Sequence, residues 1–366
     1  MRPRETLLAL SEFQQTPRSP AVGIPADEED ENTTKRWYHY LPLCFAVVLI
    51  LAPHPSLLYV LVNYHLLTLH SPLLFSIHLL VTYTLTFLTF CSLIICVARD
   101  PGPVPDPKQE TEQDGEMSLT DALLVTQEDD YTKPGRWCRV CWAPKPERAH
   151  HCSVCGRCVL KMDHHCPWLG AKCIGHRTYP SFIHFLSSST LLSVYIAAIC
   201  IEGLKFAFRN PLAIDAVTPV NEIFLAFAGI VFAIVIGTFL IYHIHLILTN
   251  QTTIENISPF LLLRHLPPLP PSNTRRKLSD PPAEYELSYA QRRLVKDARG
   301  VIRLYDLGWR KNVEQVFGST RGNWKYWVTR ILWGGGCAGD GSKFPHNPRS
   351  EDMLARLAVD LVHADE

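Results

Sequence analysis

Asp163-His164-His165-Cys166-Pro167-Trp168 stands at the centre of a segment, Cys138 to Cys173, that holds seven of the chain's 12 cysteines together with His150, His151, His164 and His165. Two long apolar stretches flank it on each side, and that placement decides the architecture. Leu41 to Val62 and Leu73 to Ala98 come before it; Phe182 to Leu204 and Ile223 to Leu248 come after. Each supplies the roughly 20 apolar residues a helix needs to cross about 30 Å of hydrocarbon. None contains Asp, Lys or Arg, and Glu202 stands only at an end. The sequence predicts an all-α polytopic membrane protein: four transmembrane helices with a cysteine-rich domain at the membrane surface. The composition agrees, with 47% of the 366 residues apolar and 19% charged.

The loops set the expected orientation, because Lys and Arg accumulate on the cytosolic side of short connections. Asn63 to Pro72 has neither, whereas Arg99 to Ser181 carries Lys133, Arg136, Arg139, Lys145, Arg148, Arg157, Lys161, Lys172 and Arg177 among others. Both termini and the cysteine-rich loop are therefore expected in the cytosol. The amino terminus has no apolar core to act as a secretory signal, so the first span is expected to direct insertion. That span carries Pro42, Pro53 and Pro55, which predict a kinked helix.

The expected organisation is a disordered tail over 1–36, helices one and two over 37–98, a spacer over 99–136, the cysteine domain over 137–181, helices three and four over 182–250, and a cytosolic carboxy-terminal region over 251–366. In that last region Arg275-Arg276-Lys277 reads as a basic patch near lipid headgroups. Met353, Leu354, Leu357 and Leu361 recur at helical spacing after Ser350 as a cap, and the sequence does not say whether that helix packs on protein, lipid or partner.

Disulfides are rare in the cytosol, where clustered Cys with His more often bind metal. The pairs Cys138/Cys141 and Cys152/Cys155, then Cys158 and Cys173, with His151 and His165 as imidazole donors, can fill two closed four-ligand zinc sites. A loop with so few apolar residues needs such metals to hold a fold. Cys166 is then the thiol left over. Reactive sulfur is thiolate, a neighbouring imidazole can take the proton, and a carboxylate can orient that imidazole. His164 and Asp163 supply both, so Cys166, His164 and Asp163 are the candidate catalytic residues, with His165 facing the metal.

These motifs resemble a known family. Cys138-x-x-Cys141, Lys145-Pro146-Glu147-Arg148-Ala149-His150-His151-Cys152, Cys155, Cys158 and Asp163 to Trp168 are similar to the cysteine-rich domain of DHHC protein S-acyltransferases (palmitoyltransferases). Asp100-Pro101-Gly102, Thr252-Thr253-Ile254-Glu255 and Tyr305-Asp306-Leu307-Gly308 with Asn312 match its further motifs. The resemblance implies a tent-like helical cavity with the zinc domain presenting the active Cys at the membrane boundary. It assigns Cys138, Cys141, His151 and Cys158 to one zinc, and Cys152, Cys155, His165 and Cys173 to the other. Cys166 becomes the nucleophile, His164 the base and Asp163 its orienter; Thr253 contacts the catalytic segment and Asn312 ties the tail to the helices. The chain departs from the family after the active Cys. Trp168-Leu169-Gly170-Ala171-Lys172-Cys173 has one residue more than the usual Trp-x-Asn-Asn-Cys and no Asn, and Thr178 replaces a common Asn.

The expected function is transfer of a long-chain fatty acyl group, such as palmitoyl, from acyl-CoA to cysteine thiols of membrane-associated proteins, through an acyl-cysteine enzyme intermediate. Arg136, Lys145 and Arg148 are the candidate contacts to coenzyme A phosphates. The expected partners are the bilayer, acyl-CoA and cysteine-bearing protein substrates, with no nucleic acid. The expected location is an endomembrane such as the endoplasmic reticulum or Golgi. A zinc-finger adaptor is the reading from another class, and rapid thiol labelling of Cys166 would argue against it. A channel lacks charged residues inside the spans, and His78, His184, His243 and His245 are set aside as near helix ends or easily packed.

Overall fold

The computed structural model describes residues 37–104, 137–141, 143–270, 278–318 and 324–364. The expected amino-terminal tail, most of the spacer, and Arg275 to Lys277 lie outside them. Among the described residues four helices are long and apolar enough to cross a membrane: Trp37–Thr68, Pro72–Ala98, Tyr179–Arg209 and Val217–Leu248. The chain is an integral membrane protein.

The first span is segmented for the reason its prolines give. Helix runs over Leu41–Leu51 and again over Pro53–Val60, with the ladder bond from Ala52 N to Val48 O still made at 2.8 Å. Pro53 and Pro55 then offer no amide hydrogen to the preceding turn. Hydropathy placed the end of this span at Val62. The chain instead stays helical through Thr68, by widening into a π-helical segment over Leu61–Thr68. Asn63 and His65 are thus helix, not loop, because backbone pairing does not depend on apolar side chains.

The fourth span also starts earlier than its apolar stretch, at Val217, because Asp215 Oδ2 accepts from Val217 N and Thr218 N at 3.0 and 3.1 Å and so satisfies the first turn. This extension brings Glu222 into the helix and corrects the expectation of charge-free spans. Glu222 is fully buried, and among the described residues neither of its oxygens has a hydrogen-bond partner.

Small residues let the helices approach closely. On the second span Thr86, Thr89 and Ser92 are buried and turn their hydroxyls back to Thr82 O, Leu85 O and Leu88 O, which satisfies these three hydroxyls within the helix. At the crossing of the third and fourth spans, a Cβ on Gly229 would stand 2.8 Å from Ser193 O and 2.9 Å from Ala197 Cβ. No side chain fits there, so glycine sets the separation of the two helices.

Between the second and third spans the cysteine domain folds as three two-stranded antiparallel hairpins: β1 (Trp137–Cys138) with β2 (Ala143–Pro144), β3 (His150–Cys152) with β4 (Arg157–Val159), and β5 (His164–Cys166) with β6 (Lys172–Ile174). Asp100-Pro101-Gly102 pins this domain to the second span: Leu160 N donates to Gly102 O at 2.9 Å, and Arg157 pairs with Asp100 at 2.8 Å.

The carboxy-terminal helix finds its partner within the protein. Pro348–His363 packs Leu354, Leu357 and Leu361 against Leu262, Leu263 and Val295, and Gln291 Nε2 donates to Leu361 O at 2.7 Å. Its cap is Asn347, which accepts from Arg349 N at 3.1 Å, rather than Ser350, which is buried inside the first turn. Pro348 explains the earlier start, since proline is well suited to the first helical position.

Candidate active site and metal centres

The strand pleat sorts the ligands. Antiparallel register places His151 opposite Cys158 on β3 and β4, and His165 opposite Cys173 on β5 and β6. Cross-strand neighbours on one face are close enough to share an ion. Cys138, Cys141, His151 and Cys158 form one group and Cys152, Cys155, His165 and Cys173 the other, each with its ligand atoms within 4.8 Å of one another.

The spacing fits tetrahedral zinc. Bond lengths of about 2.3 Å to sulfur and about 2.0 Å to nitrogen require ligand–ligand edges of roughly 3.5–3.8 Å. His151 Nδ1 lies 3.6, 3.2 and 3.9 Å from the sulfurs of Cys138, Cys141 and Cys158. His165 Nδ1 lies 3.6, 3.5 and 3.8 Å from those of Cys152, Cys155 and Cys173. Both groups can hold a metal ion. The extra residue before Cys173 is absorbed in the loop, where Gly170 and Ala171 both take left-handed backbone, φ 71° and 48°. That pair of residues turns the chain back so that Cys173 still meets His165.

Side chains alternate along a strand, so with His165 directed to the metal, His164 and Cys166 face the other way. Cys166 belongs to neither four-ligand group. It is 8% exposed and lines an apolar cavity of about 410 Å³. Along the third span the lining runs from Phe182 to Ile196, about 21 Å of helix at 1.5 Å per residue.

Asp163 is held before it can hold anything else. Its Oδ1 accepts from Thr253 N at 2.9 Å and its Oδ2 from Thr253 Oγ1 at 2.7 Å, and Oδ2 also meets His164 Nδ1 at 2.7 Å. Burial alone would raise the Asp163 carboxyl, but the His164 bond, the charges of His164 and His243 and the Thr253 bond outweigh it and keep the acid below its ordinary range. Burial likewise opposes protonation of His164. Its hydrogen bonds to Asp163 and Cys166, with their charges, win and hold its pKa up to about 9.

That shift fixes a stability profile. The raised His164 value means that its pairing with Asp163 stabilises the fold fully below about 6.5, its ordinary value, and is lost as pH rises through about 9. Asp163→Asn should therefore lower the thermal midpoint in detergent by several degrees near pH 6. The difference from wild type should shrink steadily between pH 6.5 and 9 and then level off at what the Thr253 bonds contribute; a difference that is flat with pH would refute the pairing.

A second network anchors the site to the rest of the protein. Arg148 Nε and Nη2 donate to the two oxygens of Glu255 at 2.7 and 2.8 Å, and Nη1 and Nη2 reach Oδ1 and the carbonyl of Asn250, both at 3.0 Å. Tyr305 lies against the same guanidinium, 4.2 Å from ring centroid to carbon. Glu255 closes a capping box with Thr252, and Asn312 Nδ2 donates to Leu248 O at 2.7 Å, satisfying a terminal carbonyl of the fourth span. Burial favours neutral forms of both partners, yet their mutual attraction keeps the Arg148 pKa raised and the Glu255 pKa lowered. Removing one partner strands the other charge, so Arg148→Ala should cost about 3–5 kcal/mol. Limited proteolysis should then cut the region after Asn250, and a protease-resistant Arg148→Ala chain would contradict the assignment.

Of the three residues expected to meet coenzyme A, Arg136 lies outside the described residues, while Lys145 and Arg148 line one groove with His150, Arg264, His265 and Arg299. Within it the Arg148 guanidinium is engaged by Glu255 and Asn250. Burial first, then the positive Lys145, push the His150 pKa down to about 4, against the opposing charge of Glu255. The groove and Cys166 are joined through one short segment, since Glu255 lines the first and Thr253 holds Asp163.

Sequence reasoning passed over His243. It is fully buried, its Nδ1 meets Tyr179 OH at 3.2 Å, and its ring centroid lies 6.0 Å from that of His164. The signal was its place three and four residues before Leu246 and Ile247 on the buried helix face.

Comparison with known proteins agrees with this geometry. The family model described as DHHC palmitoyltransferase matches residues 131–259. The chain is 37% identical over 196 residues to Probable protein S-acyltransferase 3 of Arabidopsis thaliana, covering 48% of this chain and 46% of that protein. It is 33% identical over 211 residues to Palmitoyltransferase ZDHHC2 of Homo sapiens, covering 57% and 46%. With Palmitoyltransferase ZDHHC15 of Xenopus laevis the identity is 32% over 240 residues, covering 64% and 59%. The chain spans about half the length of the curated relatives it matches, at 46%, 61% and 48% for the first three. Four membrane-length helices, two four-ligand clusters and an apolar cavity lined by the cysteine of the DHHC tetrapeptide accompany that match, and residues 131–259 carry a DHHC palmitoyltransferase domain.

Proposed function

We propose that the protein is a protein-cysteine S-palmitoyltransferase that works through an acyl-Cys166 intermediate. The observation that carries this reading is the position of Cys166: outside both metal clusters, beside a cationic His164, and on the wall of an apolar cavity. In the first step the Cys166 thiolate attacks the thioester carbonyl of acyl-CoA. The bond from that carbonyl to the coenzyme A sulfur breaks, and the departing thiolate takes the proton from His164. In the second step a substrate cysteine gives its proton to His164 and attacks the acyl-Cys166 thioester, which releases Cys166 as thiolate. Asp163 orients His164, and Thr253 orients Asp163.

Zinc at the two Cys and His clusters supplies structure, since four protein ligands leave no position for water. Each methylene buried in the cavity contributes about 0.8 kcal/mol, so a long acyl chain is favoured over a short one. Lys145, Arg264 and Arg299 meet the phosphates of coenzyme A, and the cysteine domain and both termini face the cytosol of an endomembrane such as the endoplasmic reticulum or Golgi. The protein substrates are membrane-associated chains with a cysteine close to the headgroups.

The test is autoacylation of purified protein with labelled acyl-CoAs of graded length. Hydroxylamine-sensitive label should rise with chain length to a maximum near sixteen carbons, in keeping with about 0.8 kcal/mol per methylene. Label that is absent at every length, or resistant to hydroxylamine, would remove the assignment.

A further inference from the structure

Metal-binding side chains converge a third time, in a group that shares no residue with the two cysteine clusters although Asp163 and His164 directly precede His165. Asp163, His164 and His243 each bring one ligand atom to within 4.8 Å of the others. They come from different parts of the chain, a hairpin of the cysteine domain and the fourth span, and Asp163 and His243 are 1% and 0% exposed. Tyr179 OH engages His243 Nδ1 at 3.2 Å, while His243 Nε2 has no hydrogen-bond partner among the described residues. A buried polar nitrogen without a partner is rare enough to call for a ligand. The rings of Phe239 and Phe182 stand edge-on to His243 at 4.6 and 5.2 Å and fix its direction.

The donor set has its own chemistry. One carboxylate and two imidazoles match three-ligand zinc sites that keep a position open, unlike the thiolate-rich clusters, which are closed. Asp163 can still contribute: a carboxylate offers about four lone-pair sites, and Thr253 N, Thr253 Oγ1 and His164 Nδ1 use three. The His164 side chain is 22% exposed, which gives an ion a way in.

We propose that Asp163, His164 and His243 form a third, inhibitory metal site that takes a divalent transition ion of the zinc type when that ion is in excess. The ion accepts lone pairs from the carboxylate and both imidazoles. The His164 nitrogen now bonded to Asp163 releases its proton to solvent as the ion takes that place, and no atom changes oxidation state. His164 is then fixed to the ion and no longer serves the Cys166 sulfur. The inhibition rests on the acyl-transfer reading; the binding does not.

The test uses full-length protein in detergent carrying its two structural ions. Native mass spectrometry across a buffered Zn²⁺ titration should show a third ion, and autoacylation should fall by about tenfold or more and recover when a weak chelator removes only that ion. His243→Gln should keep two ions and need about tenfold more Zn²⁺, or more still, for the same loss, as removal of a metal-site partner does elsewhere. Cys166→Ser should still take the third ion, which separates the site from the chemistry: a third ion bound by wild type and by Cys166→Ser supports the site even in a protein that takes no label. Should His243→Gln fail to fold, Co²⁺ reads the wild type directly. Its third equivalent should add visible d–d bands with no sulfur-to-cobalt charge transfer. A count that stays at two, an unchanged response in folded His243→Gln, or a sulfur charge-transfer band on the third equivalent would overturn the proposal.

Discussion

Cys166→Ser is expected to abolish autoacylation, with the rate of label incorporation from palmitoyl-CoA falling by at least about a thousandfold, because a serine hydroxyl lacks the accessible anion that makes cysteine nucleophilic. The same variant should retain both structural metals. Cys166 is in neither four-ligand group, and serine differs from it by one atom in a position on the wall of an apolar cavity that Leu169 and Phe182 also line. The two measurements belong together. Lost label with intact metal content identifies the sulfur as the reacting atom, while lost label with lost metal would make Cys166 a structural residue. Label at wild-type level would end the assignment.

Removing a metal ligand is expected to act in the opposite way, on the fold first and on chemistry as a result. Cys155 reaches Cys173 at 3.5 Å and His165 at 3.5 Å, so Cys155→Ser breaks the second cluster at its centre. Structural zinc contributes on the order of 10 kcal/mol to small metal-dependent folds, and a weakened site forfeits much of that. The loss should travel one residue along β5, from His165 to Cys166. Cys155→Ser should lose about one equivalent of zinc, become protease-sensitive across residues 137–174 and lose autoacylation, while the membrane helices keep their helical circular dichroism. Full zinc occupancy in that variant would show that the cluster does not need its sulfur.

Much of this was legible because it depends on local pattern. Apolar length announces a membrane helix whatever surrounds it, and Cys-x-x-Cys spacing brings two sulfurs together through a single turn; Cys141 N and Cys155 N each donate to the first sulfur of their pair at 3.4 Å. The surplus of Cys166 was likewise arithmetic on the ligand inventory. What stayed hidden depends on long-range contact. Arg148 read as a surface cation, yet it meets Glu255, 107 residues away, and the identity of a partner that distant leaves no trace in neighbouring residues. His243 looked like a packed helix residue because nothing in its own sequence window reports that His164 lies opposite. The ends of the spans were misread for a related reason: hydropathy measures side chains, while Asp215 and the π-turn after Val60 extend helices through the backbone.

Thr253 supplies two donors to Asp163 from 90 residues further along the chain. A ribosome must therefore finish the last two membrane crossings before the reactive tetrapeptide acquires its brace. Until then the nascent polypeptide can hold every cysteine of the framework with its acid and imidazole unsupported. The support that Thr253 gives to Asp163 and, through it, to His164 therefore arrives only after insertion is complete.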